Sequence, residues 1–208
     1  MTGRFVSLEG GEGAGKSTQA RALAAALRAR GIEVVETREP GGSEGAEAIR
    51  RLLLEGSGDR WTMEAEALLF AAARADHVAK TIKPALTAGK WVLCDRFLDS
   101  SVAYQGGAGG LGLDRIRALH GFGSGGFLPE RTLYLTLPPD EAAERAAVRD
   151  RDGADRIGGR DAAYHAAVAS AFDAIAAAEP DRVRRIDARG APEEVTARLL
   201  DALSDLLP

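Results

Sequence analysis

The stretch at residues 6–18, VSLEGGEGAGKST, constrains the fold and chemistry of this chain more than any other. It contains the pattern G-x-x-x-x-G-K-[ST], with an apolar, strand-like run before it and an Ala- and Leu-rich, helix-like run after it. In such a loop the backbone N–H groups point at phosphate oxygens, the lysine reaches the β- and γ-phosphates, and the hydroxyl ligates Mg²⁺. The pattern predicts a nucleoside triphosphate site formed by Gly10, Gly11, Glu12, Gly13, Ala14, Gly15, Lys16, Ser17 and Thr18.

Length, charge and cysteine content narrow the class of protein. The 208 residues, 45% of them hydrophobic, are enough for one sizeable core, so we expect one domain over residues 1–208 with a small mobile insertion. A net charge of −4 argues against a general nucleic-acid or acidic-membrane binder. The lone Cys94 fits a reducing compartment, and we find neither a signal peptide nor an apolar run long enough for a membrane helix. We therefore expect a soluble, cytoplasmic protein.

Apolar, β-rich runs alternate with helical patterns along the chain. This alternation predicts an α/β fold of three layers, a five-stranded parallel sheet with helices on both faces. The predicted strands are residues 4–9, 32–37, 91–95, 132–137 and 183–187. The predicted helices are residues 16–30, 43–54, 62–87, 114–120, 139–149, 161–178 and 192–207, and the Gly-rich tracts 106–112 and 121–126 are predicted to be loops.

Ligands of such sheets bind beyond the carboxyl ends of the strands, so the residues there are candidates for a site. The second predicted strand runs into residues 37–42, TREPGG, followed by a helix that carries Arg50 and Arg51. This turn lies either at the ligand edge of the sheet or on the surface as a solvated turn.

The predicted helix 62–87 has two faces. An apolar stripe at helical spacing is expected to pack on the sheet; it consists of Ala65, Leu68, Leu69, Ala72 and Ala73. Phe70 and Arg74 stand four residues apart and share a face shifted from that stripe. A ring and a guanidinium so placed would stack on and hydrogen-bond a planar base, although the spacing also suits a core Phe with a surface Arg.

Asp95 and Arg96 follow the third predicted strand. Asp95 occupies the place where NTPases keep a second Mg²⁺-associated carboxylate. The next residue is Arg96, where motor and helicase NTPases usually have a Glu that activates water. An arginine there favours a second anionic substrate over hydrolysis; the alternative is an ion pair at the end of a strand.

Residues 144–161 are rich in arginine among aspartates and glycines. Such a run is either a solvated surface or, in a P-loop protein, a lid that closes and supplies an arginine to the transition state. The arginines of this segment are Arg145, Arg149, Arg151, Arg156 and Arg160.

These motifs together are specific. EGGEGAGKST, TREPGG, LLFAAARADHV and DRFLDSSVAYQG, followed by the Arg-rich segment and by DRI before Tyr164 and His165, resemble bacterial thymidylate kinases over residues 5–172. These are P-loop nucleoside monophosphate kinases that make dTDP from dTMP and ATP. The resemblance implies ATP and dTMP as substrates, Mg²⁺ as the cofactor held by Ser17 and Asp95, and a homodimer formed through helix packing.

The resemblance also implies roles for residues of the acceptor side. Phe70 would stack on thymine, Arg74 would bond its O4 edge and Ser101 would contact its N3. Glu12 would face the 3′-OH of the deoxyribose, and Tyr104 would crowd the 2′ position. The other expected substrate-binding residues lie in the same motifs and are Glu39, Pro40, Arg50, Arg96 and Gln105.

The expected catalytic residues surround the transferred phosphoryl group and are Lys16, Asp95, Arg96, Arg149 and Arg151. The resembled family places one catalytic arginine either in the P-loop or in the lid. This chain has Gly13 at the P-loop position, so the lid should supply it, with Arg149 and Arg151 as the matches. Many members have Glu after DRI, whereas this chain has Gly158 and Gly159, which leaves the docking of the lid open.

Other functions remain as alternatives. A GTP-binding switch commonly reads guanine with Asn-Lys-x-Asp, and the chain contains no asparagine. Arg96 disfavours an ATP hydrolase. The nearest alternative is a P-loop kinase that acts on another (deoxy)nucleoside monophosphate or on a deoxynucleoside.

Overall fold

A five-stranded parallel sheet forms the centre of the fold. The structure is a computed structural model and describes residues 3–57, 59–149 and 156–208, apart from the side chains of residues 147–149. The strands are β1 (Phe5–Glu9), β2 (Val34–Arg38), β3 (Trp91–Asp95), β4 (Arg131–Thr136) and β5 (Val183–Asp187). They lie in the order β2-β3-β1-β4-β5, and every neighbouring pair is parallel. The predicted fold class is confirmed.

Helices cover both faces of the sheet. They are α1 (Lys16–Arg28), α2 (Glu44–Leu54), α3 (Met63–His77), α4 (Lys83–Thr87), α5 (Leu98–Ser101), α6 (Leu113–Ser124), α7 (Pro139–Arg149), α8 (Ala162–Ala178) and α9 (Pro192–Asp201). Two π-helical segments, Val78–Ile82 and Val102–Ala108, extend α3 and α5. None of the helices in the described part of the chain is long and apolar enough to cross a membrane.

Successive side chains of β1 point to opposite faces of the sheet, and the core accordingly consists of two clusters, one on each face. Val6 and Leu8 pack with α1 and α9 on one face, and Phe5 packs with residues of α3, α6 and α8 on the other. A sheet covered on both faces explains why its strands read as continuous apolar runs. The carboxyl ends of β1, β2 and β3 lie side by side and open toward the same edge.

Most predicted boundaries hold, but the predicted helices 62–87 and 192–207 differ. The predicted helix 62–87 consists of α3, a π-helical segment and α4. Pro84 lies in the first turn of α4 and lacks the N–H that would continue an α-helical ladder, which accounts for the wider turn before it. The last helix ends at Asp201 rather than at residue 207.

Two Gly-rich tracts that we predicted as loops are partly helical. Val102–Ala108 includes Gly106 and Gly107, and α6 continues through Gly121 and Gly123. A Cβ on Gly123 would lie 3.4 Å from Ala75 Cβ of α3. Here glycine permits a close helix–helix approach, so its presence does not mark a loop.

The predicted apolar stripe on α3 is wrong. Leu68 is 56% exposed and Ala72 is also exposed, whereas the buried positions of α3 include Glu66, Arg74 and His77. The helix packs on α2 and α6 and turns its charged residues inward. Periodicity alone misses this because the inward groups are polar and are bonded to residues of other elements.

Candidate active site

A cavity of about 680 Å³ lies beyond the carboxyl ends of β1, β2 and β3. Its lining includes residues that we predicted for the triphosphate site and residues that we predicted for the acceptor site. On the P-loop side these are Glu12, Gly13, Ala14, Gly15, Lys16, Ser17 and Thr18. Asp95 lies beside Ser17, and on the other side are Glu39, Pro40, Arg50, Phe70, Arg74, Arg96, Ser101, Tyr104 and Gln105.

Some predicted residues lie elsewhere or outside the described part. Gly10 and Gly11 are not among the lining residues, and their carbonyls hold the lysine of the loop. Arg151 lies outside the described residues, and so does the side chain of Arg149. Arg145, from the same arginine-rich segment, lines the cavity.

The P-loop keeps its lysine buried. Lys16 is the first residue of α1, and its Nζ donates to Gly10 O at 3.1 Å and to Gly11 O at 2.7 Å. Burial, followed by the positive charge of Arg96, lowers the pKa of Lys16 to about 8. An incoming anion would oppose both effects and favour the ammonium form.

Gly13 lies directly beneath α7. Its φ is +75°, and a Cβ there would come within 2.1 Å of Ala142 O. A side chain at this position would displace α7, so an arginine has no room in the P-loop. That the lid supplies the catalytic arginine, through Arg149 or Arg151, stays a prediction.

Ser17 and Asp95 meet at the donor end of the cavity. The Ser17 hydroxyl donates to Asp95 Oδ2 at 2.5 Å, and both residues line the cavity. A hydroxyl and a carboxylate oxygen are ligands that Mg²⁺ accepts when phosphate oxygens and water complete its octahedron. Among the described residues there is no cluster of three His, Cys, Asp or Glu side chains that would hold a metal unaided.

Arg96 links the P-loop to the turn after β3. Its Nη2 donates to Glu12 Oε1 at 2.6 Å, and its Nη1 donates to Gly10 O and to Ser100 Oγ, each at 3.1 Å. Its backbone has φ +69°, a conformation that costs energy in a residue other than glycine and persists where surrounding contacts impose it. Burial opposes the charge of Arg96, but Tyr104 and the nearby carboxylates raise its pKa above the usual value.

Glu12 also accepts a hydrogen bond from the hydroxyl of Tyr104 at 3.1 Å. The guanidinium of Arg96 lies over the Tyr104 ring, 5.1 Å from its centroid. The three side chains thus form one cluster between the P-loop and the segment Val102–Ala108. Their charges are positioned before any substrate arrives.

Glu9 is a functional residue that our sequence analysis missed. Its carboxylate accepts hydrogen bonds from Phe97 N at 2.7 Å, Ser100 N at 3.3 Å and Ser100 Oγ at 2.6 Å. Burial, followed by the negative charge of Asp99, raises the pKa of Glu9 to about 8. A glutamate inside an apolar strand was the available signal.

Arg74 is held in place by other side chains. Its Nε donates to Glu39 Oε2 at 2.7 Å, and its Nη2 donates to Ser101 Oγ at 2.8 Å. The other oxygen of Glu39 accepts from His77 Nδ1 at 3.0 Å, and a hydrogen bond of 2.7 Å joins His77 to Thr37. Both carboxylate oxygens of Glu39 are therefore engaged within the protein, and His77 is a second residue that we missed.

Phe70 and Arg50 border the same end of the cavity. Phe70 is half-buried, one helical turn before Arg74 on α3. Arg50, on α2, donates through Nη1 to Pro40 O at 2.6 Å. An aromatic ring, a fixed guanidinium and a second arginine thus converge from two helices. Such a set can hold a planar ring bearing an anionic group.

Glu66 is a third residue that we missed. It is fully buried on α3, and its carboxylate accepts hydrogen bonds from Gln105 Nε2 at 2.9 Å and from Arg160 Nη2 at 2.7 Å. Arg156 Nη2 donates to the same oxygen as Arg160. The last part of the predicted lid, with Arg156 and Arg160, is thereby attached to the wall of the cavity.

Comparisons with known proteins agree with this geometry. The family model described as thymidylate kinase matches residues 8–199. A thymidylate kinase of Rhizorhabdus wittichii is 68% identical over 208 residues, 100% of both chains, and one of a Bradyrhizobium species is 49% identical over 206 residues, 99% of this chain and 91% of that protein. The crystal structure of a thymidylate kinase from Ehrlichia chaffeensis aligns with a TM-score of 0.78 at 30% identity, covering 98% of this chain and 100% of that chain.

The matches extend over the P-loop, the acceptor-side motifs and every strand of the sheet. They therefore agree with the sequence motifs and with the two-ended cavity at once. The chain belongs to the thymidylate kinase family.

Proposed function

We propose that the cavity beyond β1, β2 and β3 is where this enzyme's two substrates meet. As a thymidylate kinase, the protein transfers the γ-phosphoryl group of ATP to dTMP and yields dTDP and ADP. The observation that carries the assignment of the site is one continuous cavity, with the P-loop at one end and Phe70 and Arg74 at the other.

The acceptor end suits a nucleoside monophosphate. In our proposal the thymine stacks on Phe70, and Arg74 with Ser101 bonds its polar edge. Glu39 supports this placement because its Oε2 accepts a hydrogen bond of 2.7 Å from Arg74 Nε and so fixes the guanidinium. The acceptor phosphate lies near Arg50 and Arg96, while Glu12 and Tyr104 border the sugar.

The donor end suits a triphosphate. The P-loop amides and Lys16 hold the β- and γ-phosphates, and Ser17 with Asp95 would hold Mg²⁺. When bound, the ion would neutralise charge that develops on the transferred group. Lys16 would exchange its bonds to Gly10 O and Gly11 O for phosphate oxygens.

Catalysis requires this protein to bind two polyanions, ATP and dTMP, next to each other. The second pKa of a phosphate monoester is about 6, so the attacking oxygen of dTMP is largely ionised at neutral pH and needs no strong base. Arg96 and Lys16 reduce the repulsion between the substrates. The hydrogen bond to Glu12 fixes the orientation of the Arg96 side chain before the substrates bind. Arg149, the last residue of α7, and Arg151 are proposed to stabilise the transition state.

We further propose a cytoplasmic location. The thiol of Cys94 is free and buried in β3, which is typical of proteins kept in a reducing compartment.

Acceptor choice tests the proposed function directly. In a coupled assay of ADP release with dTMP, dUMP, UMP, dCMP and thymidine, dTMP should give the highest kcat/KM. With dCMP an amino group would face Arg74 in place of O4. We therefore expect kcat/KM for dCMP to be at least about 100-fold lower than that for dTMP. Comparable turnover of dCMP would contradict the role of Arg74, and preferred turnover of thymidine would contradict a monophosphate acceptor.

Lid arginines should affect chemistry more than binding. Arg151→Ala is expected to lower kcat by roughly 10³-fold, by analogy with arginine fingers, while KM for dTMP changes by less than about threefold. Arg149→Ala should have a smaller effect in the same direction. Arg30→Ala, at an exposed position after α1, is the matched control. Steady-state kinetics in which both lid variants keep near-normal kcat would refute the assignment.

The lowered pKa of Lys16 predicts a pH effect on the capture of ATP. Below pH 8 the lysine is charged and attracts the triphosphate; above it the charge is lost, and deprotonation of Glu9 adds further repulsion. The kcat/KM for ATP should fall roughly tenfold between pH 7 and pH 9, as expected for loss of one proton. Glu9→Gln should retain this fall if Lys16 causes it, and a flat wild-type profile would exclude it.

An exposed apolar surface supports the homodimer that we propose. Phe122 of α6 is 95% exposed, Leu68 of α3 is 56% exposed and Leu52 of α2 is 40% exposed. Because α3 packs between α2 and α6, these side chains lie on neighbouring helices, and exposed apolar patches mark association sites.

The oligomeric state can be measured by light scattering after gel filtration. Wild-type protein should have twice the chain mass of 21.8 kDa, and the double variant Leu68→Glu/Phe122→Glu should shift toward the single-chain mass because it buries charge in the interface. Arg30→Glu, on α1's side of the sheet, controls for the change of charge. A double variant that remains dimeric would place the interface elsewhere.

A further inference from the structure

Glu66 is an unusual group for its position. It belongs to the first turns of α3 but is fully buried, whereas Glu64, two residues earlier on the same helix, is exposed. A buried carboxylate is costly unless it is paired and hydrogen-bonded. The partners of Glu66 come from two separate parts of the chain, Gln105 on one side and Arg156 with Arg160 on the other.

The carboxylate sets the orientation of the Gln105 amide. An ionised carboxylate only accepts hydrogen bonds, so the NH₂ group of Gln105 must face Glu66, as its 2.9 Å contact shows. The amide oxygen of Gln105 is buried and has no hydrogen-bond partner among the described residues. Since Gln105 lines the cavity, this oxygen is available to accept a bond from a donor on the acceptor substrate.

The same carboxylate holds the last part of the predicted lid. Arg156 is fully buried; besides Glu66, it donates through Nε to Leu53 O at 2.8 Å, near the end of α2. Arg160 lies over the ring of Tyr164, whose hydroxyl donates to Tyr104 O at 2.8 Å. The segment after residue 155 is therefore joined to the wall of the acceptor pocket through Glu66.

We propose that Glu66 is a positioning residue for this kinase. It directs the Gln105 amide oxygen into the acceptor pocket and, through Arg156 and Arg160, anchors the part of the predicted lid that begins at Arg156 to the pocket wall. This inference rests on the proposed function of the cavity. One buried carboxylate would then connect recognition of dTMP with the anchoring of residues 156–160.

The test is a double-mutant cycle of Glu66→Gln and Gln105→Ala, with Glu64→Gln as the exposed control on the same helix. In Glu66→Gln the new NH₂ group faces Gln105 and turns its amide, so a donor replaces the acceptor in the pocket. KM for dTMP should rise roughly tenfold and kcat should fall, while KM for ATP stays within about threefold. In the Gln105→Ala background, Glu66→Gln should no longer raise KM for dTMP but should still lower kcat.

Thermal melting separates this role from a structural one. If Glu66→Gln only lowers Tm and leaves both kinetic constants as in Glu64→Gln, the positioning role is refuted. Fully additive effects on KM in the cycle would also overturn the link through Gln105. Should Glu66→Gln fail to fold, Glu66→Asp replaces it: the shorter side chain keeps the charge for the arginines but withdraws from Gln105, and the same loss of dTMP binding is expected. A wild-type enzyme inactive on dTMP would instead overturn the proposed function.

Discussion

The bond between Glu9 and the turn after β3 is the contact on which the two halves of the site depend. Glu9 ends β1, directly before the P-loop, and its carboxylate accepts hydrogen bonds from the backbone of Phe97 and Ser100. It therefore fixes the direction in which Arg96 leaves β3. It thereby joins the turn that carries Arg96 to the strand that leads into the donor-side loop.

Polar groups in this protein work in linked pairs and triads. Glu39 holds Arg74, Glu12 holds Arg96, and Glu66 holds Arg156 and Arg160. Each arginine is thus placed before substrate binds, which reduces the reorganisation needed when charge develops.

Local sequence patterns predicted helices and strands best where the buried side chains are apolar and follow the expected spacing. The strand at residues 91–95 and the helix at residues 139–149 match their predicted limits. The stripe on α3 was wrong because Glu66, Arg74 and His77 face inward and bond residues of other elements, contacts that no spacing rule detects. The glycines of α6 were misleading because Gly123 serves helix packing.

By itself the sequence identified the P-loop, the alternation of strands and helices along the chain, and the family. It also identified most of the residues that line the cavity. Each of these depends on short-range patterns of residue type. Only the tertiary structure decided which carboxylates support those residues. Glu9, Glu66 and His77 act on partners about 30 to 100 positions away in the chain. Such contacts arise when parallel strands bring their carboxyl ends to one edge, and the burial that makes them strong exists only after the chain has folded.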